Sequence, residues 1–167
     1  YMPGAPYVYL AAGIKEVVDV PVFCVGRITD PVVAESILAN NQADMVGMTR
    51  ANLCDPELPN KAREGRLDEI RRCIGCSEGC WGRIYHTLPI TCALNPSAGR
   101  EQELEIFPAP VKKKVLVIGG GIAGMEAARV AALRGHTVSL YEKDEQLGGQ
   151  FQIAAKAPGR QDMAEPV

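Results

Sequence analysis

Cys73, Cys76, Cys80 and Cys92 fall within twenty residues in the spacing C-x2-C-x3-C-x11-C, and no other stretch so narrows what this chain can fold into. Thiolates are soft ligands, and a set of four completes either a structural zinc site or an iron–sulfur cluster. Gly75, Gly79 and Gly82 let the backbone close around a bulky inorganic core and bring N–H groups to sulfur. Zinc sites more often pair two C-x2-C knuckles or mix cysteine with histidine. Three cysteines within eight residues and a distant fourth favour a 4Fe-4S cubane. Zinc and plain buried thiols stay open as alternatives. His86 lies inside the loop, but four cysteines already suffice. Cys24 and Cys54 fall outside the pattern, and Cys24 reads as a small hydrophobe in a strand.

The rest of the composition excludes several classes. A net charge of −2 and a pI near 5.8 leave no basic stripe for nucleic acid. No apolar run approaches the roughly 18 residues that cross a membrane, and no secretory signal opens the sequence. Clustered cysteines without export features point to a reducing compartment, with the cytoplasm as default. Tyr1–Tyr9 has neither helical nor strand periodicity, as in a segment cut from a longer polypeptide. The remainder of that polypeptide is then its first expected partner.

Gly13–Val20 reads as the end of a helix running into a turn before Pro21. Val22–Gly26 is a continuous apolar run, the signature of a strand buried on both faces. Asp30 and Pro31 suit the N-cap and first position of a helix whose apolar face carries Val33, Ile37 and Leu38. Ala43–Met48, Asp44 aside, is a second apolar strand, and Pro56–Gly65 and Leu67–Arg72 read as helical pieces. This βαβα order predicts parallel strands, in an open doubly wound sheet or a closed (β/α)8 barrel. Gly26 and Thr49 fall at the carboxyl ends of the strands, where barrels bind phosphate. Arg27 and Arg50 either donate to that anion or lie on a solvated loop.

Residues 93–113 form a proline-rich, charged linker ending in basic residues, the solvated approach to a strand. That strand, Val115–Ile118, runs into Gly119-Gly120-Gly121-Ile122-Ala123-Gly124, a G-x-G-x-x-G motif. A helix, Met125–Arg134, and a strand, Thr137–Tyr141, follow. Glu142 closes that strand 18 residues after Gly124. A glycine motif between strand and helix, with an acidic residue at this distance, is a strong dinucleotide signal. The pyrophosphate rests on the helix N-terminus, and Glu142 accepts from ribose hydroxyls and repels a 2′-phosphate. FAD or NAD is therefore favoured over NADP at this position. His136 reads as a surface turn residue.

Barrel end, cysteine motif, proline-rich linker and glycine motif, in this order, resemble the large iron–sulfur flavoenzymes related to old yellow enzyme. These NADH:flavin oxidoreductases include 2,4-dienoyl-CoA reductase, enoate reductases and the trimethylamine and histamine dehydrogenases. The resemblance covers Val20 to Met163. It implies an α/β architecture: the C-terminal end of an FMN-binding TIM barrel over 1–72, a 4Fe-4S segment over 73–92, the linker, and the N-terminal part of a Rossmann-like FAD-binding domain over 114–167. It implies FMN phosphate contacts from Gly26, Arg27, Thr49 and Arg50, and cluster ligands Cys73, Cys76, Cys80 and Cys92. FAD contacts are implied for Gly119, Gly121, Ala123, Gly124, Glu142, Gln150 and Arg160.

The x3 and x11 gaps and the Gly148-Gly149-Gln150-Phe151 run look like dienoyl-CoA reductase more than the amine dehydrogenases. The resemblance thus implies hydride transfer from NAD(P)H to FAD, one-electron relay through the cluster to FMN, and hydride delivery to an activated C=C bond. Thr49 departs from the small residue usual at its position, though a hydroxyl remains compatible with phosphate. Amine dehydrogenase or N-demethylase activity, and a non-catalytic zinc or electron-transfer module, are the alternatives. The small-molecule substrate is accordingly an enoyl compound or an amine, and a homo-oligomer is compatible with the family. The proton donor, a tyrosine or histidine in relatives, lies upstream, so no catalytic residue is assigned.

Overall fold

The computed structural model describes residues 4–158, which gather into two units, residues 4–99 and 100–158. Each is built on one parallel βαβ unit. In the first, α1 (Val8–Lys15) precedes β1 (Phe23–Val25), α2 (Pro31–Ala39) and β2 (Met45–Gly47). The strands run parallel, with Phe23 opposite Met45 and Val25 opposite Gly47. In the second, β3 (Lys114–Ile118), α6 (Ile122–Leu133) and β4 (Thr137–Tyr141) follow the same plan, with Lys114 opposite Thr137 and Ile118 opposite Tyr141.

Local chemistry sets the boundaries. Asp30 caps α2 by accepting from the Val32 N–H at 2.8 Å, with Pro31 as the first helical residue. Such a cap stabilises a helix by about 1 kcal/mol. Asp44, the one charge in its apolar run, accepts from the Val22 N–H at 2.8 Å and pairs with Lys15 of α1. The carboxylate thus ties the start of β1, the start of β2 and the end of α1 together.

The main core of the first unit joins Ala11, Val22, Cys24, Ile28, Ile37 and Ala43. Cys24 packs as a buried apolar side chain, and its burial pushes the thiol pKa up. The expectation that this strand is covered on both faces is corrected: Phe23 and Val25 are exposed while Cys24 is buried. α1 and α2 cover one side of a two-stranded sheet, and no described residue covers the other. The second unit is similar. Val115, Val117, Val138 and Leu140 are partly covered, while Leu116, Ile118 and Tyr141 are exposed. No helix among the described residues is long and apolar enough to cross a membrane.

Other elements also depart from the sequence-based expectation. α1 begins at Val8, within the segment lacking periodicity, and ends at Lys15, from where the chain runs into the expected turn before Pro21. A short helix unforeseen in the sequence, α3 (Thr49–Cys54), leads into α4 (Leu58–Arg63). The helical reading of Leu67–Arg72 holds only for a single 3-10 turn, Leu67–Glu69. α6 starts three residues earlier than expected, directly on the glycine motif. Of the proline-rich stretch, Asn95 and Ala98 are buried against the first unit, while Ala109 N–H donates to the Arg134 carbonyl of the second at 2.9 Å.

Asp55, at the end of α3, is the most heavily bonded buried charge described. Its carboxylate takes Lys61 Nζ at 2.7 Å and the N–H groups of Arg71 and Glu57 at 2.9 and 3.1 Å. Desolvation raises its pKa, but the Lys61 and backbone hydrogen bonds outweigh it and the carboxyl titrates below its ordinary range. Folding therefore depresses this pKa. The contribution to stability is complete above the unfolded value of about 3.9 and is lost as pH falls toward the folded one. Asp55→Asn should cost about 3 kcal/mol at neutral pH by leaving Lys61 unpaired. In urea unfolding of the whole protein that carries this chain, the deficit should shrink below about pH 4.

Candidate functional sites

The cysteine loop has little regular structure. Residues 70–77 lack helix and strand, a π-helical turn (Glu78–Gly82) carries Cys80, and a single helical turn, α5 (Arg83–Tyr85), follows. What shapes the loop is a set of backbone contacts. Thr91 N–H donates to the Gly79 carbonyl at 2.7 Å, lacing the Cys80 arm to the residue before Cys92. A Cβ on Gly79 would lie 2.6 Å from the Thr91 carbonyl oxygen, so only glycine permits that approach. Ser77 takes the left-handed conformation (φ 59°), and its carbonyl accepts from Gly82 N–H at 2.8 Å to close the π turn.

Both arms are anchored to the end of α3. Asp55 holds the Arg71 N–H, two residues before Cys73. Asn95, itself buried, donates Nδ2 to the Leu53 carbonyl at 2.9 Å, three residues after Cys92. The thiols receive donors in turn. Gly75 N–H bonds to Cys73, while the Leu94 and Asn95 N–H groups bond to Cys92. A hydrogen bond from Cys54, against the opposing effect of burial, lowers Cys92 to about 6 and so favours its thiolate. Cys54 is driven strongly the other way and stays a thiol. Cys73 is raised, chiefly by burial. The four motif cysteines are half-buried, and all six in the chain are free thiols. Among the described residues, no three Cys, His, Asp or Glu side chains converge as ligands of a single ion.

The two arginines at the strand ends face this loop. Arg50, the second residue of α3, donates Nη1 to Ser77 Oγ at 3.1 Å. Arg27 packs its guanidinium on Gly75, where an added Cβ would stand 3.1 Å from Nε. Its backbone is left-handed (φ 47°), a conformation costing roughly 1–2 kcal/mol in a residue with a Cβ. Gly26 before it has φ 142°, and the ring of Tyr7 fills the space a side chain there would need. Gly26, Arg27, Thr49 and Arg50 thus stand at the carboxyl ends of β1 and β2, with both arginines turned to the cysteine loop. The contact of Arg50 with Ser77 was not legible in the sequence.

In the second unit the glycine motif forms the turn from β3 into α6. Gly119 needs its positive φ of 103°. A Cβ on Gly124 would come within 1.9 Å of the Gly119 carbonyl oxygen, so this glycine lets helix and strand touch. A Cβ on Gly121 would enter open space. That space belongs to an open cavity of about 480 Å³ lined by Gly119, Gly121, Ala123, Gly124, Gln150 and Phe151, among others. Gln150 begins a short helix, α7 (Gln150–Ala154), which the sequence did not disclose. The chain returns through Gly148, whose N–H donates to the Gly120 carbonyl at 2.8 Å. Glu142 accepts from Gly120 N–H at 2.5 Å and from Lys143 N–H at 2.7 Å. These bonds, Gly120 first, hold its carboxyl below the usual range. His136, at the turn before β4, accepts from Lys113 N–H through Nδ1 at 3.1 Å. Arg160 lies outside the described residues.

The two added methyl groups have opposite expectations. In the ligand-free protein Gly124→Ala should lower stability by about 1–3 kcal/mol through overpacking, whereas Gly121→Ala should leave it unchanged. Thermal unfolding of the two variants beside the parent protein checks both.

Comparison with known proteins matches residues 7–69 to the NADH:flavin oxidoreductase / NADH oxidase family. Residues 117–162 match the NAD(P)-binding Rossmann-like domain. An NADH oxidase of Thermoanaerobacter brockii is 55% identical over 92% of this chain and 24% of its own length. A cinnamate reductase of Clostridium sporogenes is 48% identical over 83% of the chain and 21% of its own length. The solved structure of a 2-naphthoyl-CoA reductase complex with 2-naphthoyl-CoA superposes with a TM-score of 0.92 at 38% identity, covering 99% of this chain and 25% of that one. The chain thus spans about a quarter of the length of the proteins it matches.

Proposed function

Because the chain belongs to the NADH:flavin oxidoreductase / NADH oxidase family, we propose that it is part of an NAD(P)H-dependent FMN, FAD and 4Fe-4S oxidoreductase that reduces an activated C=C bond. The observation that carries this is one loop with two chemistries: four motif thiols, and two arginines from the carboxyl ends of β1 and β2 packed against it. The likeness to a cinnamate reductase and a 2-naphthoyl-CoA reductase supports a conjugated substrate.

The residues fit the groups proposed for them. Cys73, Cys76, Cys80 and Cys92 supply soft donors, and the N–H groups of Gly75, Leu94 and Asn95 already point at sulfur. A cubane separates its thiolate ligands by its own bulk, unlike a zinc ion, which needs four sulfurs about 2.3 Å from one point. Gly26, Arg27, Thr49 and Arg50 are proposed to hold the FMN phosphate. The open space beside Gly121 suits the close approach of an FAD pyrophosphate to backbone N–H groups, with Gln150 lining the same cavity. Glu142 would exchange a backbone hydrogen bond for ribose hydroxyls. Arg160 is assigned to FAD from the family resemblance alone. When bound, these groups supply hydride acceptance from the nicotinamide, single-electron relay, and hydride donation to substrate.

The proposed division is a barrel end over 1–72, a cluster segment over 73–92, a linker over 93–113 and an FAD-binding part from 114. Substrate pocket and proton donor belong to the rest of the polypeptide. Six free thiols suit a reducing cytoplasm.

The test is iron, sulfide, zinc and flavin analysis of the complete anaerobically purified protein, followed by turnover. About four iron and four sulfide per chain, both flavins, and NADH-dependent reduction of cinnamate are expected. Zinc without sulfide overturns the cluster, and dye reduction driven by dimethylamine without cinnamate reduction overturns the ene-reductase assignment. Gly121→Ala should retain the fold and the iron but lose FAD at least tenfold.

A further inference from the structure

Ser77 follows Cys76, and the cysteine spacing gives it no role. Its backbone is left-handed (φ 59°, ψ 5°), and its carbonyl closes the π turn that carries Cys80. The side chain has a different task. Its Oγ takes Arg50 Nη1 at 3.1 Å, across 27 residues of sequence. A guanidinium has donors only, so the hydroxyl oxygen accepts and the hydroxyl hydrogen remains to be given. Among the described residues nothing accepts that hydrogen, and no carboxylate pairs with Arg50. A half-buried guanidinium with donors to spare and no carboxylate beside it suits an anion. The loop also meets a second guanidinium. Arg27, from the end of β1, places Nε, Cζ and Nη2 between 3.1 and 3.4 Å from the point a Cβ on Gly75 would occupy. Residues 75 and 77 flank Cys76, so the two arginines grip the chain on either side of one motif thiol.

We propose that Ser77 is a positioning residue that couples the FMN phosphate to the cysteine loop: its hydroxyl holds Arg50 for the phosphate, so that FMN binding and closure of the loop around its cluster reinforce each other. This rests on the FMN and 4Fe-4S assignments above. A closed loop fixes the turn at Ser77, and the turn fixes the hydroxyl. The hydroxyl in turn orders a long side chain that otherwise samples many rotamers. An anion then meets a fork already in place and binds more tightly for it. Coupling of this kind is reciprocal. Whatever factor the cluster adds to FMN affinity, bound FMN adds to the affinity of the loop for its cluster. Glycine at position 75 has no side chain to remove, so the link is tested at Ser77.

The test uses the complete protein with Ser77→Ala, Ser77→Gly and Ser77→Asn. Iron, sulfide and FMN analysis of the parent comes first, since absence of the cluster or of FMN there defeats the underlying assignments and this proposal with them. With both present, the flavins are stripped and the dissociation constants of FMN and riboflavin are measured by fluorescence quenching, before and after removal of the cluster. Riboflavin lacks the phosphate, so it reports general damage to the site. Ser77→Ala and Ser77→Gly should weaken FMN about tenfold and leave riboflavin unchanged. Removal of the cluster should weaken FMN by a similar factor in the parent and add nothing in these two variants. Ser77→Asn, whose amide oxygen can accept from Arg50 and whose backbone tolerates the left-handed turn, should restore parental FMN affinity. Unchanged FMN affinity in Ser77→Ala overturns the proposal. So does equal weakening of FMN and riboflavin, which shows a packing effect, or the parent's full dependence on the cluster surviving in Ser77→Ala. Failure of Ser77→Asn to restore affinity, or loss of the cluster from Ser77→Gly, where no left-handed strain remains, overturns it as well.

Discussion

The first unit depends on three consecutive residues, Leu53, Cys54 and Asp55. A twenty-residue loop with almost no ladder hydrogen bonds must find partners for its buried backbone groups elsewhere. The end of α3 supplies them, taking the Arg71 N–H with a carboxylate and offering the Leu53 carbonyl to Asn95. The chain entering the loop and the chain leaving it are therefore fixed to one short helix. Closing such a loop costs conformational entropy, which the buried Asp55–Lys61 pair and the Asn95 amide help to offset. Ala51, Leu58 and Ile70 form the small core beneath them, so the corner is packed as well as bonded.

Close backbone contact is the second recurring device. At Gly79 a main chain lies where a side chain would stand, and at Gly124 the carbonyl of Gly119 does. These glycines shape the protein itself. Gly121 differs, because its missing side chain opens onto empty space. Three glycines in one motif thus divide their work: Gly119 turns the chain, Gly124 seats the helix, and Gly121 leaves room for something else. The same spacing that identifies the motif hides this division, and only the geometry separates packing from ligand space.

The sequence disclosed what local chemistry dictates. Asp30 before Pro31 announced a helix start, and the glycine motif with Glu142 announced a strand, turn and helix. It disclosed less where short elements carry no periodicity. α3 has six residues and α7 five, each under two turns, so neither shows an apolar stripe. The apolar run at β1 suggested burial on both faces because it reports what the strand can cover, not what covers it. Cys54, Asp55 and Asn95 were illegible for a different reason. Their partners stand between 16 and 42 residues away for Asp55 with Arg71 and Asn95 with Leu53, and no spacing rule spans such distances without the fold.

The placement of the arginines links the two chemistries of the first unit. Arg50 leaves β2 as the second residue of α3, the helix whose far end holds Asp55 and Cys54. Its guanidinium spends Nη1 on Ser77, and the remaining donors of that fork can still meet an anion. Its positive charge also acts to lower the Cys73 pKa against the larger effect of burial. Ser77 itself sits between Cys76 and the π turn that carries Cys80. A phosphate drawn to Arg50 would therefore pull on a side chain already bonded to the cysteine loop. Arg27, held in a strained backbone and packed on Gly75, applies the same constraint from β1. Rigid contact of this kind makes the geometry at the carboxyl ends of β1 and β2 inseparable from the geometry of the thiols. A change in either arginine would alter the cysteine loop even though neither is a metal ligand.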